Sequence, residues 1–307
     1  MFKYFVNGIL PEYQYLNLID NIIKNGIKRK GRNGNTYSIF GTQMRFPLYN
    51  NTLPLLTTKK IFLNGCIHEL LWFIRGETNN KYLKDNKVHI WDANSSREFL
   101  DSRGLQKYNE DELGPIYGFQ WRNFNGDYIP EQFRNEFSIR NAKKGTDQLQ
   151  YIIDTLKGNN KNEDKYSRRL IINAWNPNQI NDMALPPCHV MFQFFVNDKD
   201  ELSCSMYQRS GDVGLGIPFN IASYSLLTHI IAHHCDLKPG DFIHTIGDAH
   251  IYEEHIEKLK LQINREPYES PIINIKNKHT NIDDYTIDDF SIYNYNYHKP
   301  IKMKMIS

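Results

Sequence analysis

Cysteine is scarce in this sequence of 307 residues, and long apolar segments are missing. The four cysteines, Cys66, Cys188, Cys204 and Cys235, lie far apart and form no C-x-x-C pair. A zinc-binding or redox-active cysteine pair is therefore not indicated, and we expect reduced thiols in a cytoplasmic protein. No run of about eighteen uninterrupted apolar residues occurs, so we expect neither a membrane span nor a signal peptide.

An excess of charge of either sign is missing as well. The sequence has 37 Lys and Arg residues against 35 Asp and Glu residues, which leaves a formal charge of +2. This balance gives no general attraction to nucleic acid, although a local basic cluster can still bind a phosphate. Hydrophobic residues make up 40% of the sequence, enough for a substantial core. We expect one globular domain over residues 1–307.

Apolar spacing predicts both helices and strands. Helices are expected over residues 13–24, where a left-handed Gly26 would end the helix, and over 67–75, 148–156 and 221–235. Strands are expected over residues 37–46, 170–175, 190–196 and 201–207. The two kinds of element do not alternate strictly, which favours an α+β fold with one mixed sheet. The polar region 123–165 is interpreted as two loops around one helix, with a long insertion near 123–147.

Cys188 has an unusual local setting. It follows two prolines in the sequence Leu-Pro-Pro-Cys-His and precedes a predicted strand, so the chain around the thiol is rigid. A thiol must ionise to act as a nucleophile, and arginines on neighbouring segments, Arg168, Arg169 and Arg209, would lower its pKa. The other three cysteines lie in apolar helices or strands and are interpreted as core residues.

Arginines and glycines suggest a phosphate site. Residues 31–35 form a glycine-rich loop containing Arg32, and Arg209 and Ser210 lie near the end of a predicted strand. Arg168 and Arg169 lie near the start of another strand. Surface ion pairs explain these arginines about equally well, since only the fold can bring them together.

Two further polar positions have alternative explanations. Asn220 opens the predicted helix 221–235 and is either its N-cap or a base-reading amide that matches the N3–H and O4 edge of uracil. His229 and His233 have the spacing of a helical metal pair, but histidines that bond locally are the better interpretation. His250 and Tyr252 are placed in a short loop after a strand, where they could reach a ligand sugar.

These residues, taken together, resemble a known family. The Pro-Pro-Cys-His segment, residues 209–212 and residues 219–224 are similar to thymidylate synthase, within the thymidylate synthase and deoxycytidylate hydroxymethylase family. The resemblance covers almost the whole chain, including residues 38–41, 68–76, 114–122 and 167–176. Residues 91–100 and 208–216 look more like eukaryotic members than bacterial ones.

The resemblance implies reductive methylation of deoxyuridylate to thymidylate, with 5,10-methylenetetrahydrofolate as the co-substrate and no metal. It implies that Cys188 attacks carbon 6 of uracil, that Glu69 relays a proton and that Tyr117 assists near carbon 5. Asn220 and Asp212 complete the implied catalytic set. The implied nucleotide-binding residues are Arg32, Arg168, Arg169, His189, Gln208, Arg209, Ser210, Asn220, His250 and Tyr252. The implied folate-binding residues are Ile90, Trp91, Asn94, Asp212, Leu215, Gly216 and Phe219.

The resemblance also implies a sheet-to-sheet homodimer in which Arg168 and Arg169 reach the other subunit's site. The chain departs from the family pattern in its phosphate loop, Gly-Arg-Asn-Gly-Asn-Thr, and in its Met-Ile-Ser end. Two other functions are consistent with the scaffold. One is a hydroxymethylase of deoxypyrimidines, which the asparagine at position 220 disfavours for cytidylate. The other is messenger RNA binding, for which no basic-aromatic stripe is present.

Overall fold

A six-stranded mixed sheet lies at the centre of the computed structural model, which describes residues 10–31 and 34–305. Its strands follow the order β1-β2-β6-β5-β4-β3. β5 and β6 run parallel, and the other neighbours run antiparallel. A separate antiparallel pair, β7 and β8, lies outside this sheet. The strands are β1 Ile27–Gly31, β2 Gly34–Pro47, β3 Ile171–Asn173, β4 His189–Val196, β5 Glu201–Asp212, β6 Lys238–Tyr252, β7 Ile272–Ile275 and β8 Phe290–Tyr293.

Helices cover one face of the sheet. The described helices are α1 Tyr13–Asn25, α2 Leu63–Ile74, α3 Lys81–Asp85, α4 Asp92–Ser95, α5 Arg97–Ser102, α6 Tyr117–Asn123, α7 Glu136–Asn141, α8 Gln148–Leu156, α9 Gly216–His234 and α10 Ile256–Ile263. The mixture of helices with one mixed sheet confirms the α+β prediction. None of the helices in the described part of the chain is long and apolar enough to cross a membrane.

The central helix α9 is buried along most of its length and packs on β5 and β6. It begins at Gly216, five residues earlier than predicted, and Leu215 is its N-cap. Pro218 fits within the first turn because a proline there removes no helical hydrogen bond. The N-cap interpretation of Asn220 is therefore wrong, because this residue lies inside the helix and its side chain is available for another role.

Alternation along β4 and β5 divides the sheet into two faces. Phe192 and Phe194 are buried, and Phe192 packs against Tyr224 of α9 with ring centroids 5.2 Å apart. On the opposite face, Phe195 is 62% exposed and Met191 pairs in register with the exposed Tyr207. This second face carries large apolar side chains that no described helix covers.

Two of the local predictions are wrong. The helix α1 does end at Gly26, but Gly26 has an extended conformation with φ of −64°, not a left-handed one. Strand β6 continues to Tyr252 because it pairs with β2 as far as Thr36. His250 and Tyr252 therefore lie in a strand and not in a following loop.

The insertion at 123–147 is more structured than two loops, since it contains α7 and a short 3-10 helix at Glu131–Phe133. Its ends pair through main-chain hydrogen bonds between Phe124 and Thr146. The fully buried Glu112 accepts hydrogen bonds from the Tyr128 hydroxyl at 2.8 Å and from the Glu131 amide at 2.9 Å. A buried carboxylate with such partners holds the insertion against the body of the protein.

Candidate active site

Cys188 lies just before β4, in a segment whose backbone is held by Tyr117 and Arg209. The main-chain N–H of Cys188 donates to the Tyr117 hydroxyl at 2.7 Å. The Arg209 side chain donates through Nε to the Pro187 carbonyl at 2.9 Å and through Nη2 to the Pro186 carbonyl at 3.1 Å. The sequence predicted a rigid mount for this thiol, and these contacts show how the fold completes it.

The ionisation of Cys188 is a balance of opposing effects. Burial raises the pKa of the thiol, while the Arg209 charge and a hydrogen bond with Tyr117 lower it, and the net pKa is above the usual range. The expectation of a lowered pKa is therefore wrong for this chain alone, because burial outweighs the one arginine beside it. Cys66, Cys204 and Cys235 are buried and free, as core cysteines should be.

Glu69 lies on α2 and is linked to Tyr117 through Trp91. Its carboxylate accepts a hydrogen bond from Trp91 Nε1 at 2.7 Å, and burial raises its pKa to about 7. The Trp91 ring lies edge-on to Tyr117, with centroids 6.2 Å apart. The structure thus brings Glu69, Trp91, Tyr117 and Cys188 into one connected group.

A row of hydrogen-bonding side chains lies on the other side of Cys188. His189 pairs in register with Gln208, and burial lowers the pKa of His189 to about 4, so this imidazole is neutral at pH 7. Gln208 Nε2 donates to Asn220 Oδ1 at 3.0 Å and to the Ser210 carbonyl at 2.9 Å. Neutral donors and acceptors at fixed positions are what recognition of a pyrimidine edge requires.

The turn after β5 contains several predicted folate contacts. Asp212 Oδ1 accepts from the amides of Gly214 at 2.8 Å and Leu215 at 3.4 Å. A Cβ placed on Gly216 would lie 3.8 Å from Asn220 Oδ1, so this turn adjoins the base-reading amide. Phe219 and Ile90 are partly buried against the core, and Asn94 lies in α4 just after Trp91. Among the predicted folate contacts, hydrogen bonds thus join Asp212 with Leu215 and Trp91 with Asn94.

The predicted phosphate and sugar contacts fall into three groups. Arg32 lies outside the described residues, so its position is not part of the structure. His250 pairs in register with Asp212, and Ser210 pairs in register with Asp248. Ser210 and His250 therefore lie beside the site. Tyr252 is 5.5 Å from His250 between ring centroids and pairs in register with Thr36 of β2.

Arg168 and Arg169 are not brought to this chain's own site. Both are exposed before the edge strand β3, and Arg169 forms an ion pair with Glu163 at 2.6 Å. The Arg168 carbonyl accepts a hydrogen bond from Gln193. Gln193 lies four residues along β4 from His189, so these two residues are separated by roughly 13 Å.

Comparison with known proteins identifies the chain. The sequence profile described as thymidylate synthase matches residues 13–307. The chain belongs to the thymidylate synthase family. It is 52% identical over 295 residues to thymidylate synthase of Homo sapiens, covering 96% of this chain and 90% of the human protein. It is 51% identical over 296 residues to the bifunctional dihydrofolate reductase-thymidylate synthase of Leishmania amazonensis, covering 96% of this chain and 55% of that protein. The chain thus spans about half the length of such bifunctional relatives.

Membership of the thymidylate synthase family agrees with the resemblance seen in the sequence.

Two residues at the site were missed by sequence reasoning. Lys59 is buried and donates from Nζ to the Gly214 carbonyl at 2.5 Å, in the turn that holds Asp212. His244 is completely buried and contacts Gln208. A Thr-Thr-Lys-Lys segment between apolar residues and a histidine on the inward side of a strand were the signals available, but neither shows its partner.

Proposed function

We propose that this chain catalyses the reductive methylation of deoxyuridylate to thymidylate. The observation that carries the proposal is the connected group of Cys188, Tyr117 and Glu69 beside a neutral amide row that ends in Asn220. The substrate 5,10-methylenetetrahydrofolate would supply the carbon and the hydride and leave as dihydrofolate.

Covalent catalysis suits this chemistry because carbon 5 of uracil is a poor nucleophile. Cys188 Sγ, as a thiolate, adds to carbon 6, and the electron pair displaced toward O4 makes carbon 5 nucleophilic. Arginines from a second copy of the chain, added to Arg209, would favour the thiolate that burial disfavours in the free chain. Glu69, with a pKa of about 7, can hold or release a proton near O4 at neutral pH.

Substrate contacts follow from the positions of the side chains. The base would be read by His189, Gln208 and Asn220, and the sugar hydroxyl by His250 and Tyr252. The phosphate would be bound by Arg32, Arg209 and Ser210 of the same chain. The folate would lie against Ile90, Trp91, Asn94, Asp212, Leu215, Gly216 and Phe219.

A second copy of the chain would complete the site. The uncovered apolar face of the sheet, with Phe195, Met191 and Tyr207, is suited to packing against itself in a symmetric dimer. In such a dimer the partner's Arg168 and the partner's Arg169 would join the phosphate site, which explains why neither reaches this chain's own site. A cytoplasmic location is proposed on the basis of the four free cysteines.

An assay of dihydrofolate formation tests the proposed reaction. The protein is mixed with deoxyuridylate and 5,10-methylenetetrahydrofolate, and near-ultraviolet absorbance is followed for the parent chain and for Cys188→Ser. We expect a rise in absorbance with the parent and a loss of at least about a thousandfold in rate with the variant. Formation of a modified nucleotide without dihydrofolate would instead identify a hydroxymethylase.

A further inference from the structure

His244 of β6 lies behind the amide row of the site and is completely buried. Its Nε2 atom is 2.8 Å from Gln208 Oε1. Burial, with a smaller effect of the nearby His189, lowers the pKa of His244 to about 3, so the imidazole is neutral at pH 7. A neutral imidazole carries one proton, and its position decides which nitrogen donates.

The Ser210 carbonyl determines which atom donates and which accepts in the contact between His244 and Gln208. A main-chain carbonyl can only accept a hydrogen bond, so the Gln208 atom 2.9 Å from it must be Nε2. The other atom of the Gln208 amide, Oε1, therefore faces His244 and requires a donor. His244 Nδ1 is buried without a hydrogen-bond partner in the described structure, so placing the proton there would leave a buried donor unpaired. The proton belongs on Nε2, which donates to Gln208.

The hydrogen bond from Gln208 fixes the orientation of the Asn220 amide. Gln208 Nε2 donates to Asn220 Oδ1 at 3.0 Å, so Asn220 Nδ2 is the atom left to donate to a ligand. Uracil presents the acceptor O4 at this edge, whereas cytosine presents an amino donor. Rotating the Asn220 amide to suit cytosine would place Nδ2 against Gln208 Nε2, where two donors would face each other.

We propose that His244 is a positioning residue that, by holding Gln208, keeps the Asn220 amide in the orientation that accepts uracil and rejects cytosine. The inference rests on the proposed function, because it assumes a pyrimidine nucleotide beside Asn220. It adds a residue that does not touch the ligand and acts only through its hydrogen bond to Gln208.

Nucleotide binding by calorimetry tests this role without relying on turnover. Affinities for deoxyuridylate and deoxycytidylate are measured for the parent chain, His244→Phe and His244→Gln. Loss of the donor leaves a buried amide oxygen unpaired, so we expect His244→Phe to reduce the preference for deoxyuridylate about tenfold. His244→Gln carries an amide donor at similar reach and should recover the preference to within about threefold.

A matched control separates this role from a general packing effect. His229 is also buried, but its Nε2 bonds to the Thr52 carbonyl, away from the amide row. His229→Phe should leave the ratio of the two affinities within about twofold of the parent, even where it lowers stability. If His244→Phe does not fold, His244→Leu provides the same deletion with a smaller apolar side chain.

The outcomes distinguish this inference from the function it rests on. A parent chain that binds neither nucleotide, or binds both equally, contradicts the proposed function itself. A parent that prefers deoxyuridylate, with an unchanged preference in the folded His244→Phe or His244→Leu variant, overturns the role of His244. Recovery in His244→Gln supports it, because a purely structural defect would lower both affinities together.

Discussion

At the scale of single residues, the ionisation of Cys188 depends on Arg209. Because the Arg209 charge lowers the pKa of the thiol, Arg209→Gln should raise that pKa further. The measurement is the pH dependence of Cys188 alkylation by iodoacetamide, corrected with Cys188→Ser. We expect a higher midpoint and a several-fold slower reaction at pH 8 in the glutamine variant.

Arg209→Lys serves as the control, since it keeps the charge but cannot donate to both proline carbonyls in the same way. Its alkylation midpoint should lie between those of the parent and Arg209→Gln. An unchanged midpoint in Arg209→Gln would show that burial alone determines the reactivity of the thiol.

Glu69 should make the protein less stable as the pH rises. Its pKa is about 7 in the folded chain, against roughly 4.3 for an ordinary glutamate, so the native state binds the extra proton between these values. The free energy of unfolding therefore falls as pH rises through this window, by up to about 4 kcal/mol, and most of the loss has occurred by about pH 8. Glu69→Gln should remove this fall while also lowering activity.

Chemical denaturation between pH 4.5 and pH 8 measures the effect. Glu257→Gln is a suitable control, because the side chain of Glu257 is 81% exposed and lies on α10. The interpretation fails if Glu69→Gln and the parent show the same pH slope.

At the scale of elements, Glu112 anchors the insertion at 123–147. Glu112→Ala would leave the Tyr128 hydroxyl and the Glu131 amide without their buried acceptor. We expect a loss of about 2–3 kcal/mol in the free energy of unfolding and faster protease cleavage within the insertion. Glu136→Ala, on the exposed helix α7 of the same insertion, should change both quantities little. Equal behaviour of the two variants would show that Glu112 is not the anchor.

At the scale of the whole molecule, the active site should need two chains. One variant carries both Arg168→Ala and Arg169→Ala, and a second variant carries Cys188→Ala. A mixture of the two contains mixed dimers in which one of the two active sites has both its cysteine and its arginines. We expect the mixture to recover activity that neither variant has alone. No recovery after subunit exchange would count against arginines donated by a partner.

The same dimer predicts a role for the uncovered face of the sheet. Phe195→Asp should weaken association, measured by sedimentation, because it places a charge within an apolar contact. Leu261→Asp is a matched control: Leu261 is 60% exposed, close to the 62% of Phe195, but lies on α10. A monomer from Leu261→Asp and a dimer from Phe195→Asp would place the interface elsewhere.

Several features of this protein follow from the sequence alone. The bounds of α8 and the rigid Pro-Pro-Cys-His segment were predicted correctly, because turn residues, prolines and apolar spacing act over a few neighbouring residues. The family could also be recognised, since the motifs that carry the resemblance are continuous in the sequence.

Only the tertiary structure decided how distant residues pair. Glu69 meets Trp91 across 22 residues, Gln208 meets His244 across 36, and Tyr117 meets Cys188 across 71. These contacts depend on the parallel register of β5 with β6 and on the packing of α2 against α6 and α9, which no local pattern specifies. The pKa of Cys188 depends on burial in the same way, and this is why the sequence, which shows the arginine but not the surrounding apolar side chains, predicted its direction wrongly.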